Sequence, residues 1–361
     1  MKNSKNKRPI IAIHRRVNSF SERWIEVCQE VGYNYRVVDC FSNTIFQDLN
    51  EIDILLWHWH HNDPPSKLCA RDLLRSAEIK GLTVFPDSST CWSFDNKLAQ
   101  KYQLQSIGAP LAETAAFFQR KDALEWADSV SFPKVFKLRC GAGSSNVRLL
   151  KTKKEAIKII NQAFGNGFSF KPPHIEEVKD YLGKQNPAGS EKIKKLFNLP
   201  GRLNRYFQRS SRAKDLCRLM GNEIGYVLFQ SFIPNNQYDI RITVVGDKAF
   251  GFTRNVRKND WRASGSGSID YNITRVDPLC VKIAFDITQK LGCQSIAFDF
   301  VMTENCEPLI VETSYCYNSK AIYNCPGYWD VNLNYHIKHL WPQDLILELV
   351  IKQWKDKIPK R

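Results

Sequence analysis

The chain has no Cys-x-x-Cys pair. Its eleven cysteines stand singly, at 28, 40, 69, 91, 140, 217, 280, 293, 306, 316 and 325. That spacing argues against a bound zinc ion. Several of the thiols sit in apolar strings, as Cys280 does before Val281, and read as buried and reduced in a reducing compartment. No run of about 18 apolar residues occurs, so no segment reads as a membrane-spanning helix. The basic stretch Met1 to Arg8 is followed by Pro9 to His14, too short for a signal-peptide core and interrupted by Arg15-Arg16. The expected location is therefore the cytoplasm. The chain has no Gly-Lys-Ser/Thr phosphate loop and no glycine fingerprint leading from a strand straight into a helix. Nor has it a Gly-x-Ser-x-Gly or Cys/His nucleophile signature. Internal repeats and low-complexity tracts are also lacking.

What is present is an ordinary globular composition, 361 residues with 43% hydrophobic and 25% charged. That length allows two or three domains and a sizeable core. Lys and Arg number 52 against 37 Asp and Glu, a net charge of +15. Such an excess attracts phosphates, anionic sugars or other polyanions. It is unevenly spread: Lys171 to Arg218 holds 12 Lys and Arg against 5 Asp and Glu. This segment, broken by Pro172-Pro173, Pro187 and Pro200, reads as a basic helical insertion over about 165–222. A solvated helical face is its simplest reading, and a lid or a polyanion-substrate surface is the alternative; nucleic acid is not the expected partner.

The rest of the chain alternates strand and helix. Ile10–His14, Tyr35–Asp39, Ile52–Trp59 and Leu82–Phe85 read as strands, and Ser21–Val31 and Leu68–Lys80 as helices with Gly32 and Gly81 as stops. This rhythm predicts a small parallel α/β domain over 1–92. A helix follows over Asp95–Ile107, with Lys97 in its first turn; by spacing alone Lys97 is a surface lysine. Phe132 to Leu150 reads as strand, loop and strand, and Lys153–Phe164 as a helix. Next come a strand over Tyr226–Phe232, a hairpin over Asp239–Arg254 turning at Gly246-Asp247, a helix over Asp277–Leu291, and a second hairpin over Ser295–Thr313. The divisions expected are 1–92, 93–232 and 233–361, in a mixed α/β (α+β) fold.

Two of these elements carry chemistry. In Val135-Phe136-Lys137-Leu138-Arg139-Cys140-Gly141-Ala142-Gly143-Ser144-Ser145-Asn146, a lysine at the end of an apolar strand precedes a glycine-serine loop whose amides can approach an anion. In the second hairpin, pairing Thr303 with Pro308 sets Asp299 opposite Glu312, with Cβ atoms about 4.5–5.5 Å apart. Facing carboxylates flanked by apolar residues repel unless a cation lies between them. Oxygen donors with room for phosphate favour Mg²⁺, and the alternative is a register one residue different that turns one carboxylate to solvent. Arg241, Arg254, Arg257 and Arg262 add cations on or after the first hairpin. Trp57-His58-Trp59-His60-His61 ends the third strand, where ligands of α/β sheets bind. His58 and His60 share a face there; a zinc site is one reading, though no third ligand is evident, and substrate contact by stacking against a sugar or a structural role are the others. Ser19-Phe20-Ser21, before the first helix, can present amides to an anion.

The ordered strings Asp95-Asn96-Lys97, Phe136-Lys137-Leu138 with Gly141 to Asn146, Phe229 to Ile233, Asp239-Ile240-Arg241, Asp260-Trp261-Arg262, Phe298-Asp299-Phe300 and Val311-Glu312-Thr313-Ser314 resemble the ATP-grasp superfamily. The resemblance runs from about Pro9 to Trp341. It is strongest to the ribosomal-protein glutamate ligase-like branch, and within it to ATP-grasp proteins encoded with surface-polysaccharide genes. Those carry strings similar to Cys325-Pro326-Gly327-Tyr328-Trp329-Asp330 and Asn332-Leu333-Asn334.

The resemblance implies an ATP-grasp fold behind an N-terminal pre-ATP-grasp parallel α/β domain. It implies an ATP-dependent carboxylate–amine ligase acting through an acyl phosphate on small, in some relatives sugar-linked, substrates, in a protein that can self-associate. ATP and Mg²⁺, replaceable by Mn²⁺, are the implied cofactors. Lys97 and Lys137 would contact phosphates, and Gly141, Gly143, Ser144, Ser145 and Asn146 would close over them. Gln230, Ser231, Phe232 and Ile233 would form the adenine hinge, and Asp239 would lie near the ribose. Arg241, Arg262 and Lys137 would act on the transferring phosphate. Asp299, Glu312 and Ser314 would hold the metal. Tyr315 to Trp329 would border the acceptor. Ser314 stands where the family usually has Asn, and Asn318 is the nearby substitute. Two other readings stay open: an ATP-grasp kinase acting on a hydroxyl, and a catalytically decayed module that binds a polyanion through the basic insertion.

Overall fold

The computed structural model describes residues 8–141, 146–169, 215, 217–219, 221–257, 260–263, 265 and 267–358. Most of the basic insertion, and Gly143, Ser144 and Ser145 of the glycine-serine loop, lie outside the described residues.

The first sheet is parallel, with strand order β2-β1-β3-β4: β1 is Ile10–His14, β2 Asn34–Val38, β3 Ile54–Leu56 and β4 Thr83–Phe85. Helix α1, Phe20–Val31, turns Phe20, Trp24 and Cys28 onto it and ends at Gly32, whose φ of 73° closes the last turn. Helix α3, Pro64–Ile79, begins a turn earlier than apolar spacing suggests. Its two prolines occupy first-turn positions where no amide partner is lost. Strand β3 is short: it stops at Leu56, and Trp57 to His60 leave the strand conformation.

The second sheet has the order β5-β10-β6-β7, with β5 at Thr114–Phe117, β6 at Lys134–Lys137, β7 at Val147–Leu150 and β10 at Val227–Ser231. All its pairings are antiparallel. Helices α6, Arg120–Ser129, and α7, Lys153–Phe164, cover one face and share a core with Phe136, Leu138, Leu150, Val227 and Phe229.

The third sheet runs β15-β14-β11-β12-β16-β17. Strands β11, Tyr238–Val245, and β12, Lys248–Asn255, form the first hairpin, and β14, Ser295–Met302, and β15, Pro308–Ser314, the second. Strands β16 and β17 are Tyr328–Asp330 and Tyr335–His336. Alternation on β11 sends Ile240, Ile242 and Val244 into a core with helix α8, Pro278–Leu291, capped by the Asp277 carboxylate and stopped at Gly292 with φ 64°. Helix α5, Lys97–Ser106, is capped by Asn96, whose Oδ1 accepts the Ala99 amide at 3.1 Å. Its Gln100 donates to the Thr313 carbonyl of β15 at 3.0 Å.

The last helix, α10, Pro342–Lys357, lies far along the chain from the first sheet yet packs on it. Ile346, Leu347, Val350, Ile351 and Trp354 join Ile11, Ile13 and Leu55 in one core. Arg23 of α1 grips Asp344 through two hydrogen bonds, at 2.9 and 2.8 Å.

Candidate functional site

The second and third sheets face each other across a cavity of about 260 Å³. From one side Lys137 enters at the end of β6, with Gln230 and Ser231 from β10. From the other come Asp239 of β11, Asp299 of β14 and Glu312 of β15. Lys97, Gly141, Phe232, Ile233 and Arg262 complete the set of expected residues that line it. Val135, Val301, Val311 and Trp261 form apolar walls that sequence reading did not single out. Arg241 touches the site through Asp299 rather than from its wall.

The Asp299–Glu312 pairing is met by a route the loop length did not suggest. Met302, not Thr303, pairs with Pro308, so the hairpin begins one residue out of the expected register. A β-bulge then puts Val311 as an extra residue between the Phe300–Ile310 and Asp299–Glu312 pairs. The two shifts cancel, and the carboxylates face each other.

Protein cations meet them. Arg241 holds Asp299 in a two-pronged pair, Nε to Oδ1 at 2.7 Å and Nη2 to Oδ2 at 2.8 Å. Arg254 bridges Asp299, at 2.8 Å, and Asp239, at 2.8 and 2.5 Å. Burial pushes the Asp299 carboxyl up, but Arg241 and Arg254 outweigh it and hold its pKa well below the usual carboxylate range. Asp239 is raised, because burial there exceeds the pull of Arg254. Its carboxylate therefore serves first as the far anchor of Arg254, an engagement its expected place near a ribose did not include.

Glu312 pairs with Lys97 at 3.2 Å. Lys97 is only 7% exposed. Burial alone would lower its pKa, but Glu312 and Asp95 raise it and keep it charged. Its Nζ also donates to the Gly141 carbonyl at 2.6 Å, while the Gly141 amide donates to Asp95 Oδ1 at 2.8 Å. Both polar groups of Gly141, with φ 132°, are thus fixed where the glycine-serine loop begins. The other oxygen of Asp95 takes Lys67 from α3.

Lys137 is buried and donates to Gln230 Oε1 at 2.6 Å and to the Val311 carbonyl at 3.0 Å. Among the described residues no carboxylate bonds it directly, and burial lowers its pKa to about 8, with Glu312 opposing and Lys97 adding to the fall. At the other end Phe232 meets Trp261 edge-on, with ring centroids 5.7 Å apart. Arg262 is held by Asp260 through contacts of 2.8 to 3.1 Å. Asn146 donates to the Cys140 carbonyl at 3.3 Å, outside the cavity wall.

Asp299 and Glu312 are the hard oxygen donors that a divalent cation would find here. Ser314 is not free to join them as placed. Its Oγ accepts the Cys316 amide at 3.1 Å and donates to the Cys316 carbonyl at 3.2 Å. Asn318 caps a short helix, α9, Ser319–Tyr323, accepting from the amides of Lys320 and Ala321. Two carboxylates, rather than two carboxylates and an amide, are the fitting set.

The aromatic-histidine run does not line this cavity. His58 stacks on Phe20 with centroids 3.7 Å apart, and its Nδ1 shares a hydrogen bond with Ser19 Oγ at 2.9 Å. Burial lowers its pKa to about 3. The strand ends before His58, so His58 and His60 do not share a strand face.

No protein-family model matches the sequence, and no curated protein matches it. Solved structures do match. An ATP-grasp RimK domain protein from Sphaerobacter thermophilus superposes with a TM-score of 0.53 and 15% identity, over 95% of this chain and 99% of that one. D-alanine–D-alanine ligase from Bacillus anthracis, complexed with ATP, gives 0.52 and 13%, over 98% and 99%. N5-carboxyaminoimidazole ribonucleotide synthetase from Thermotoga maritima gives 0.57 and 12%, over 95% and 76%. The fold is the ATP-grasp fold.

Proposed function

We propose that this chain of ATP-grasp fold is a Mg-ATP-dependent ligase that joins a small carboxylate to an amine. The observation that carries the reading is the convergence of two buried lysines, Lys97 and Lys137, with the facing carboxylates Asp299 and Glu312 in one cavity. Among the described residues Lys137 has no bonded carboxylate, and Glu312 has only Lys97 as its cation; a nucleotide phosphate would add an anion for both lysines, and its metal a cation that the two carboxylates can share. One solved structure of the same fold is a ligase bound to ATP, which supports the same reading.

In this reading Asp299 and Glu312 would hold Mg²⁺, which would neutralise phosphate charge when bound. Val135, Val301, Val311, Phe232 and Trp261 enclose the base, with the Gln230–Ile233 backbone at its edge. Lys97 and Lys137 bind the phosphates, and Gly141 fixes the start of the loop that follows. A substrate carboxylate attacks the γ-phosphate, ADP leaves, and an acyl phosphate forms; the amine then displaces phosphate to give the amide. Arg262 balances the charge that develops on the transferred group, and Arg241 contributes at one remove by holding Asp299. No side-chain nucleophile is needed, since positioning and charge neutralisation do the work. In the same reading 1–92 is the pre-ATP-grasp domain, 93–232 and 233–361 are the N- and C-terminal ATP-grasp parts, the second with the metal site, and the setting is a cytoplasmic step of surface-polysaccharide or amino-acid-conjugate synthesis.

The test is Mg²⁺-dependent ADP release screened over uronic acids and amino acids paired with amines. Release that needs both substrates is the expected result. A phosphorylated product without any amine would mark a kinase instead. Silence with every pair, together with no ATP protection against heat unfolding, would sink the nucleotide reading altogether.

Lys137 adds a pH signature. An amine is charged below its pKa, so the phosphate contact weakens as pH rises through about 8. The KM for ATP is expected to climb over that range in the natural chain and to stay level in Lys137→Arg, whose guanidinium keeps its charge. Identical profiles for the two would remove Lys137 from the phosphate site.

A further inference from the structure

We propose a second metal site, for zinc or another soft divalent ion, formed by His60, His61 and Cys316. Each offers one ligand atom, and the three atoms lie within 4.8 Å of one another. The ligands come from two segments far apart in the chain: the turn after β3 and the turn after β15.

The surroundings hold these segments together before any metal arrives. Tyr315 Oη donates to the Trp59 carbonyl at 2.5 Å, which docks one turn on the other. Phe94 packs edge-on against Trp59, His61 and Tyr315, with centroids 4.8, 6.0 and 4.7 Å away. The paired hydrogen bonds between Ser314 Oγ and the Cys316 backbone set the turn that presents the thiol. His60 and His61 lie with ring centroids 4.0 Å apart.

An independent sign of a missing partner comes from His61. It is 8% exposed, and its Nδ1 has no hydrogen-bond partner. Buried polar atoms are nearly always paired, and an orphan of this kind calls for a ligand. His60 Nδ1 accepts the Asn62 amide at 3.1 Å. A metal on the other ring nitrogen would move the ring proton to Nδ1 and break that contact, a cost the metal bond has to exceed.

Two imidazoles and a thiolate select zinc, cobalt or copper(I) over magnesium. The site is thus chemically separate from Asp299 and Glu312. Binding releases the Cys316 thiol proton to solvent, and the zinc–thiolate unit carries one net positive charge. Arg16, Lys67 and Lys97 also act on His61, with Asp95 as the opposing carboxylate. Three protein ligands leave the fourth tetrahedral position open. In so cationic a setting that position suits an anion, such as hydroxide.

The experiment uses tag-free full-length protein and no nucleotide, so it is independent of the ligase reading. After loading with zinc and gel filtration, about one zinc per chain is expected. Cobalt(II) in its place should give a thiolate-to-metal charge-transfer band and strong visible absorption of a four-coordinate ion. Cys316→Ser should lose the band, His61→Gln should lose zinc retention, and Cys69→Ser should keep both. Circular dichroism of each variant shows that the fold is kept; if Cys316→Ser fails to fold, His61→Gln and His60→Ala decide. A natural chain that retains no zinc, or a charge-transfer band unchanged in Cys316→Ser, overturns the proposal.

Discussion

Arg254→Ala destabilises the folded chain by about 3–5 kcal/mol at neutral pH, the expected cost of leaving a buried ion pair without one partner. Arg254 has one guanidinium on two buried carboxylates, Asp239 and Asp299. Asp299 keeps Arg241 after the change, but Asp239 keeps no such two-pronged partner. Burial already raises the Asp239 pKa, and loss of the nearby positive charge raises it further. An acid whose folded pKa lies above its unfolded value costs stability once pH exceeds the unfolded value, and that cost fades as pH falls and the group protonates in both states. The deficit against the natural chain should therefore shrink on acidification. Denaturant unfolding at neutral pH and near pH 5 measures both figures. A loss below about 1 kcal/mol, or one that does not change with pH, would mean that the guanidinium acts only by filling space.

Glu312→Gln removes turnover and spares the fold. The residue is partly open to solvent, with a side chain 28% exposed, and Gln has nearly the same shape. Lys97 retains the Gly141 carbonyl, so its position does not depend on Glu312 alone. What the change removes is one of two carboxylates able to hold a divalent cation. Metal stabilisation of a phosphoryl group is worth several kcal/mol, so ADP release should fall about a hundredfold or more. Thermal unfolding should move by only a few degrees, because Asp95 and the Gly141 carbonyl still compensate the buried Lys97. Full ADP release in this variant would remove Glu312 from the metal set.

Local patterning made much of this architecture legible, and contacts between distant segments hid the rest. The strand alternation of Ile240, Ile242 and Val244 gave the first hairpin its correct face. The second hairpin yielded the correct carboxylate pair from an incorrect turn register, because the bulge at Val311 has no signature in a run of apolar residues. Lys97 looked like a surface lysine because helix spacing counts only neighbours on the same helix. Its burial comes from Gly141 and Glu312, which reach it from two other parts of the chain. Helix α6 and strand β5 went unread for a different reason. The helix buries only Ala123 and Ala127, and the strand contains Ala115 and Ala116, so neither shows a strong apolar stripe. Period-two reasoning carried the third strand too far, to Trp59. The strand stops at Leu56, His58 turns inward against Phe20, and His60 and His61 turn toward Cys316, a partner no local spacing can reveal.

Helix α10 adds a constraint in time. During synthesis the sheet of β1 to β4 leaves the ribosome long before the residues that cover one of its faces. Until Ile346, Leu347, Val350, Ile351 and Trp354 emerge, Ile11, Ile13 and Leu55 share an incomplete core. Domains that complete early can fold as they are made, whereas this one must wait for nearly the whole described chain. A nascent chain stalled before Pro342 would show the second sheet, which has its own core under α6 and α7, protected from protease while the first sheet remained open to it.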